Sequence, residues 1–117
     1  MARRHTELEP AVAGDASDYR LIELAGVSTI SGATVEGHVW RSGVSPVNLT
    51  GSVENAGDTD SDPADKPVIR VNLGSWLEST AVGGFTYALE YEITFGDGRI
   101  WTWPSGDPDQ LYVREGN

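Results

Sequence analysis

The sequence predicts an all-β domain, a sandwich of about six or seven short strands. Three observations carry that prediction. Residues 85–95 alternate six large apolar side chains (Phe85, Tyr87, Leu89, Tyr91, Ile93, Phe95) with polar or small ones, the period of two that marks a half-buried strand. Gly96-Asp97-Gly98 follows, and an Asp-Gly pair between apolar runs is a strong hairpin signal. Turn signals then recur about every ten residues along most of the chain, as in a sandwich or barrel, and no helical pattern reaches a dozen residues.

The elements follow in order. Residues 1–26 mix Arg3, Arg4, Glu7, Glu9, Asp15, Asp18 and Arg20 with Pro10 and Gly14, and no period persists. They read as an extended N-terminal arm outside the domain, with at most a short strand at residues 20–24. So polar an arm buries too little to offset its own ordering entropy, so if it is ordered something holds it, most simply a neighbouring subunit. The sandwich is expected over residues 27–117. In residues 33–41, Val35, Gly37 and Val39 share one parity, while Thr34, Glu36, His38 and Trp40 share the other. A loop over residues 42–46 separates this strand from one at 47–53. Residues 54–67 hold five acids, one base and two prolines, an exposed acidic loop. Residues 68–73 form a strand with Ile69, Val71 and Leu73 inward, and 75–80 form one helical turn or a corner. Gly83-Gly84 turns the chain into the long strand. A return strand holds Trp101 and Trp103, residues 104–109 are turn-forming, and Leu111-Tyr112-Val113 closes the sheet.

At 117 residues without cysteine, the chain is long enough to bury a core unaided, and disulfide and thiolate chemistry are excluded. Eighteen acids against eight bases give a net charge of −10, which disfavours nucleic acid and anionic membranes as partners. The N-terminus leads into no apolar run, so no signal peptide is read, and no stretch is long enough for a membrane helix.

The chemical motifs fail on inspection. Asp58, Asp60 and Asp62 imitate the start of an EF-hand loop, but Pro63 and Ile69 stand where Gly and Glu are needed. A solvated loop is expected there, with a looser Ca²⁺ site left open. His5 and His38 are too few for a tetrahedral metal centre. No nucleophile elbow is present, and Glu90 and Glu92 read as the outer face of a sheet, not as a glycosidase pair. No catalytic residue, cofactor or metal is expected, and an enzyme is the least favoured reading.

The order of motifs resembles a known family. A strand holds Gly32-x-x-Val35 and Val39-x-Arg41. Leu49-Thr50, an Asp-rich link and Val71-x-Leu73 follow. After them come a Gly-aromatic-x-Tyr-x-Leu-Glu strand, the Asp-Gly turn, and a return strand with Gly106. Over residues 27–115 this is similar to the immunoglobulin-like modules of tailed-bacteriophage virion proteins, such as the N-terminal module of baseplate upper proteins and small head decoration proteins. The resemblance implies an immunoglobulin-like β-sandwich, assembly into a virion by side-to-side packing, synthesis in a bacterial host cytoplasm, and no enzymatic activity. It also implies partners among other virion proteins, either the major capsid protein or tail and baseplate subunits, and copies of the chain itself.

The tryptophans decide how such a module would attach. With a two-residue turn at Asp97-Gly98, Phe95 pairs Ile100, and Trp101 and Trp103 face outward. With a three-residue loop, Tyr91 pairs Trp103 and Ile93 pairs Trp101, and both fall in the core. One residue of register flips every side chain. The pairing of Phe95 with Ile100 and the outward parity of Trp40 favour the outward register. Arg3, Arg4, Trp40, Trp101 and Trp103 are therefore the expected interface residues of a capsid decoration or cement protein. Tail or baseplate attachment is the alternative. A carbohydrate-binding module is the second, since outward aromatics also stack on sugars.

Overall fold

The structure is a computed structural model. It describes residues 8–27, 29–57, 66–104 and 106–116. The expectations for Arg3, Arg4, His5 and the Asp58–Asp65 stretch lie outside the described residues.

The described chain is all-β apart from one short helix. Its elements are β1 (Ala11–Val12), β2 (Tyr19–Glu23), β3 (Thr34–Arg41), β4 (Val44–Asn55), β5 (Val68–Asn72), α1 (Gly74–Ser79), β6 (Phe85–Thr94), β7 (Ile100–Trp103) and β8 (Asp109–Arg114). They form one curled mixed sheet in the order β1-β8-β6-β3-β4-β5-β2, with β7 also paired to β6. Every pair is antiparallel except β1 with β8.

The curl is made by β4. Its first part pairs β3 up to Thr50, and from Gly51 onward it pairs β5. Glycine stands at the crossover because a Cβ on Gly51 would lie 2.7 Å from Val35 Cγ1 and 2.9 Å from the Val35 carbonyl oxygen. The strand thus passes from one layer to the other, and the two layers enclose the core. Val35, Val39, Leu49, Ile69, Val71, Leu89, Tyr91, Ile93, Leu111 and Val113 fill it. These are the inward parities that alternation predicts for β3, β5, β6 and β8.

At the bottom of β6, the Tyr87 hydroxyl accepts from Val82 N (3.1 Å) and donates to Val82 O (3.3 Å). Trp76 of α1 meets the Tyr87 ring edge-on, at 4.8 Å between centroids. A tyrosine at the start of a strand, bonded back to the corner before it, is a feature of immunoglobulin-like sandwiches, so the corner is compatible with the sandwich expected.

Three expectations need correction. First, residues 8–26 are not an arm outside the domain. Ala11 pairs Val113 in parallel, and β2 pairs β5 from Tyr19↔Asn72 to Glu23↔Val68. Ala11, Ile22 and Leu24 are buried in the core. The segment is also clamped from outside. Arg20 donates to both oxygens of Asp18, at 2.8 and 2.9 Å, and to the Glu9 carbonyl. A Cβ on Gly74 would run into the Ala16 carbonyl oxygen, so this glycine lets the segment lie against α1. The strand count accordingly rises to eight.

Second, the loop expected over residues 42–46 is a two-residue turn at Ser42-Gly43, with Gly43 at φ +79°. Val39 pairs Val47 and Arg41 pairs Val44, so Ser45 and Pro46 together oppose Trp40 in a bulge. A bulge tolerates a proline that a regular ladder would not.

Third, the β6–β7 hairpin uses three loop residues. Phe95 N donates to Arg99 O (2.8 Å) and Gly98 N to Phe95 O (2.9 Å), with Gly98 at φ +92°. This closure asks for one left-handed residue, and glycine supplies it. Asp97 braces the loop through Arg99 N (3.0 Å) and Arg99 Nε (2.8 Å), and the two bonds hold its carboxyl below the ordinary carboxylate range. Tyr91 pairs Trp103 and Ile93 pairs Trp101. Trp103 is therefore 4% exposed, while Ile100 is 63% exposed. Burial decides against the outward register, since hiding a tryptophan is worth roughly 5 kcal/mol, well above an isoleucine.

Candidate functional site

The outer surface of the β4-β3-β6-β7/β8 layer is built by the parity opposite the core. β3 presents Thr34, Glu36, His38 and Trp40, and β6 presents Thr86, Ala88, Glu90, Glu92 and Thr94. Register places them in rows. Trp40 stands beside Ala88, which stands beside Gln110 of β8, and Thr86 stands beside Tyr112. His38 lies between Asn48 and Glu90, and Glu36 lies between Thr50 and Glu92. The face is thus aromatic and small at one end and acidic at the other.

At the aromatic end, Trp40 is half-buried and Tyr112 is 43% exposed. The bulge at Ser45 and Pro46 lies directly beside Trp40. Trp40, Arg41, Ala88, Asp107, Pro108 and Gln110 line a groove of about 360 Å³. Ala88 leaves that space open, because every other outward residue of β6 is Thr or Glu. Arg41 forms the lower wall. Its guanidinium lies 4.0 Å from the centroid of the exposed Phe85 ring, and its Nε donates to the Tyr87 hydroxyl at 3.3 Å. The described chain also begins here, since Leu8 N donates to Gln110 O at 2.8 Å. The segment carrying Arg3 and Arg4 therefore joins the fold at this end of the face.

Of the expected interface residues that are described, only Trp40 stands on this face. Trp101 and Trp103 are removed from it by the three-residue hairpin. They pack edge-to-face with each other, 5.3 Å between centroids, with Trp103 in the core and Trp101 against it. Trp103 is thus a core residue, and Trp101 is half-buried against that core.

At the acidic end, the donor atoms of Glu36, His38 and Glu92 all lie within 4.8 Å of one another, and His38 Nε2 is 3.1 Å from Glu36 Oε1. Alternation alone gives each of these residues its outward parity. It does not say that Glu36 opposes Glu92, which depends on the pairing of β3 with β6 across the intervening loop and strands. A second feature hidden from the sequence is Asp109, fully buried and accepting from the Tyr91 hydroxyl at 3.1 Å.

A larger groove of about 610 Å³ runs between β4, β5 and α1. Several of its polar groups are already engaged. Arg70 Nε donates to Asn72 Oδ1 (3.1 Å), Asn72 Nδ2 donates to Thr50 O (3.4 Å), and the Arg70 guanidinium lies 3.8 Å from the Tyr19 ring centroid. It offers a ligand less than the Trp40 groove does.

No family model, curated protein or solved structure matches this chain.

Proposed function

We propose that this chain is a non-enzymatic structural protein of a tailed-phage virion, a capsid decoration or cement protein, and that it attaches through the aromatic end of its outer sheet face. The resemblance over residues 27–115 supports the virion role. One structural observation carries the attachment surface: Trp40 and Tyr112 are presented outward on a rigid strand layer, beside the point where the N-terminal segment joins the fold. Large aromatics on strands lose little entropy on binding, and they dominate interfaces where they can be buried. Covering the exposed part of Tyr112 alone contributes roughly 2 kcal/mol. Arg3 and Arg4 carry positive charge in the seven residues that precede Leu8, on a chain whose net charge is −10. Attachment to the completed shell would stabilise it by mass action, since only the intact lattice offers the site.

The test is rebinding to virions that lack the protein. Purified wild-type chain should occupy heads saturably. Trp40→Ala combined with Tyr112→Ser should lower occupancy at least tenfold, as should deletion of residues 1–7, while circular dichroism remains that of the folded domain. Undiminished occupancy by both variants overturns the proposed surface. Binding to tails in place of heads transfers the protein to the baseplate or tail reading.

The Trp40 groove, with Arg41, Asp107 and Gln110 around it, also favours a second reading as a carbohydrate-binding module. That reading predicts oligosaccharide binding by the isolated chain, abolished by Trp40→Ala.

A further inference from the structure

The acidic end of the same face poses an electrostatic problem. Glu36 and Glu92 are direct partners on adjacent antiparallel strands, and Glu90 is the partner of His38. Like charges opposed in this way destabilise a sheet. The face holds no Lys or Arg on β3 or β6 near them. The described cations are placed elsewhere: Arg20 on Asp18, Lys66 near Glu23, Arg70 on Asn72, Arg99 on Asp97, and Arg41 on Tyr87. Arg114 is at the far end of β8, paired to Val12. Among the described residues, no lysine or arginine is placed to supply the counter-charge.

We infer that Glu36, His38 and Glu92 form a binding site for a first-row divalent metal ion, with Zn²⁺ as its representative. One imidazole nitrogen and two carboxylate oxygens form a donor set that such ions accept and that Ca²⁺ or Mg²⁺ does not require. The geometry is near to what coordination needs. Donors bound tetrahedrally at about 2.0–2.1 Å lie roughly 3.3 Å apart. Glu36 Oε1 and His38 Nε2 already stand 3.1 Å apart, and all three donor atoms fall within 4.8 Å. Closing the remainder, about 1.5 Å at most, needs only rotation of the Glu92 side chain. The backbone needs no movement, because Glu36 and His38 are two apart on β3 and Glu92 is held opposite by the ladder. The site is open to solvent, so its remaining coordination positions are available to water or to a donor from a neighbouring protein. His38 would bind as neutral imidazole through Nε2, giving up its contact with Glu36 to the ion.

Calorimetric titration of the full chain with Zn²⁺ at pH 7 tests this directly. The expected result is one saturable site per chain. Affinity should fall at least tenfold in His38→Ala and in Glu92→Gln. It should change less than twofold in Glu90→Gln, which removes a neighbouring carboxylate that is not a ligand. A Co²⁺-loaded sample should show a visible absorption band that is lost with His38→Ala. Absence of a saturable site overturns the inference. So does binding that persists in the His38→Ala, Glu92→Gln double variant, which would put the ion on His5 or the acids of residues 54–65.

Discussion

Replacing Trp103 by alanine should be among the most damaging single changes on the β6–β7 hairpin, and replacing Ile100 should be nearly silent. Trp103 is 4% exposed, pairs Tyr91 across the strand, and meets Trp101 edge-on at 5.3 Å. A tryptophan of this kind removes about 200 Å² from water, worth roughly 5 kcal/mol of transfer free energy. Incomplete collapse of the cavity and relaxation of neighbours bring the expected cost to about 3–5 kcal/mol, a large share of the roughly 5–15 kcal/mol that holds a domain together. Ile100 is 63% exposed, and its removal should cost less than about 0.5 kcal/mol. The two-residue turn reverses the order: Ile100 would lie opposite Phe95 in the core, and Trp103 would be free in solvent. Urea unfolding of the two variants, followed by far-ultraviolet circular dichroism, separates the cases without relying on tryptophan fluorescence. A midpoint for Ile100→Ala below that of Trp103→Ala would refute the register and the burial argument behind it.

Other outcomes follow from the same structure. Tyr91→Phe leaves the buried Asp109 carboxylate without that hydroxyl donor and should cost about 1–3 kcal/mol in the same assay; a neutral result would show that the bond contributes nothing. Deleting residues 1–7 removes none of the described core, so cooperative unfolding should persist. Deleting residues 1–26 strips β1 and β2 with Ala11, Ile22 and Leu24, of order 5 kcal/mol of burial, and the chain should fail to fold. A folded product would restore the arm reading. Asp15 and Asp97 have carboxyls held below their ordinary value, near 3.8, by hydrogen bonds from Ser17 and Arg99 respectively. Because the folded values are depressed, the turns they brace keep this support above about pH 4 and lose it as pH falls through the lowered midpoints. Carboxyl carbon shifts in an NMR titration should place both midpoints below 3.8, and values at or above it would contradict the bonding described.

Much of the fold is legible in the chain because alternation is a local signal. β3, β5, β6 and β8 show it, and their inward parities match the buried residues. β1 and β2 do not show it. β1 has only two residues, and in β2 the exposed Leu21 is as apolar as the buried Ile22. What makes these segments strands is the free edges of β8 and β5, which lie far along the sequence. The hairpin register escapes for another reason: both loop lengths use the same Gly-Asp-Gly residues, and only the global choice of what to bury separates them. The functional face divides in the same way. Trp40 is outward by its own parity. The groove beside it needs Ala88 and Gln110 in register, and the Glu36–Glu92 opposition needs the pairing of β3 with β6.

The most direct test of attachment is an electron-microscopic reconstruction of the assembled virion at a resolution that shows strand orientation. The chain is expected on the head, with the β3-β6-β8 face turned to the capsid lattice and Trp40 and Tyr112 buried against it. A chain on the head with that face turned to solvent, or a chain found elsewhere in the particle, would contradict it.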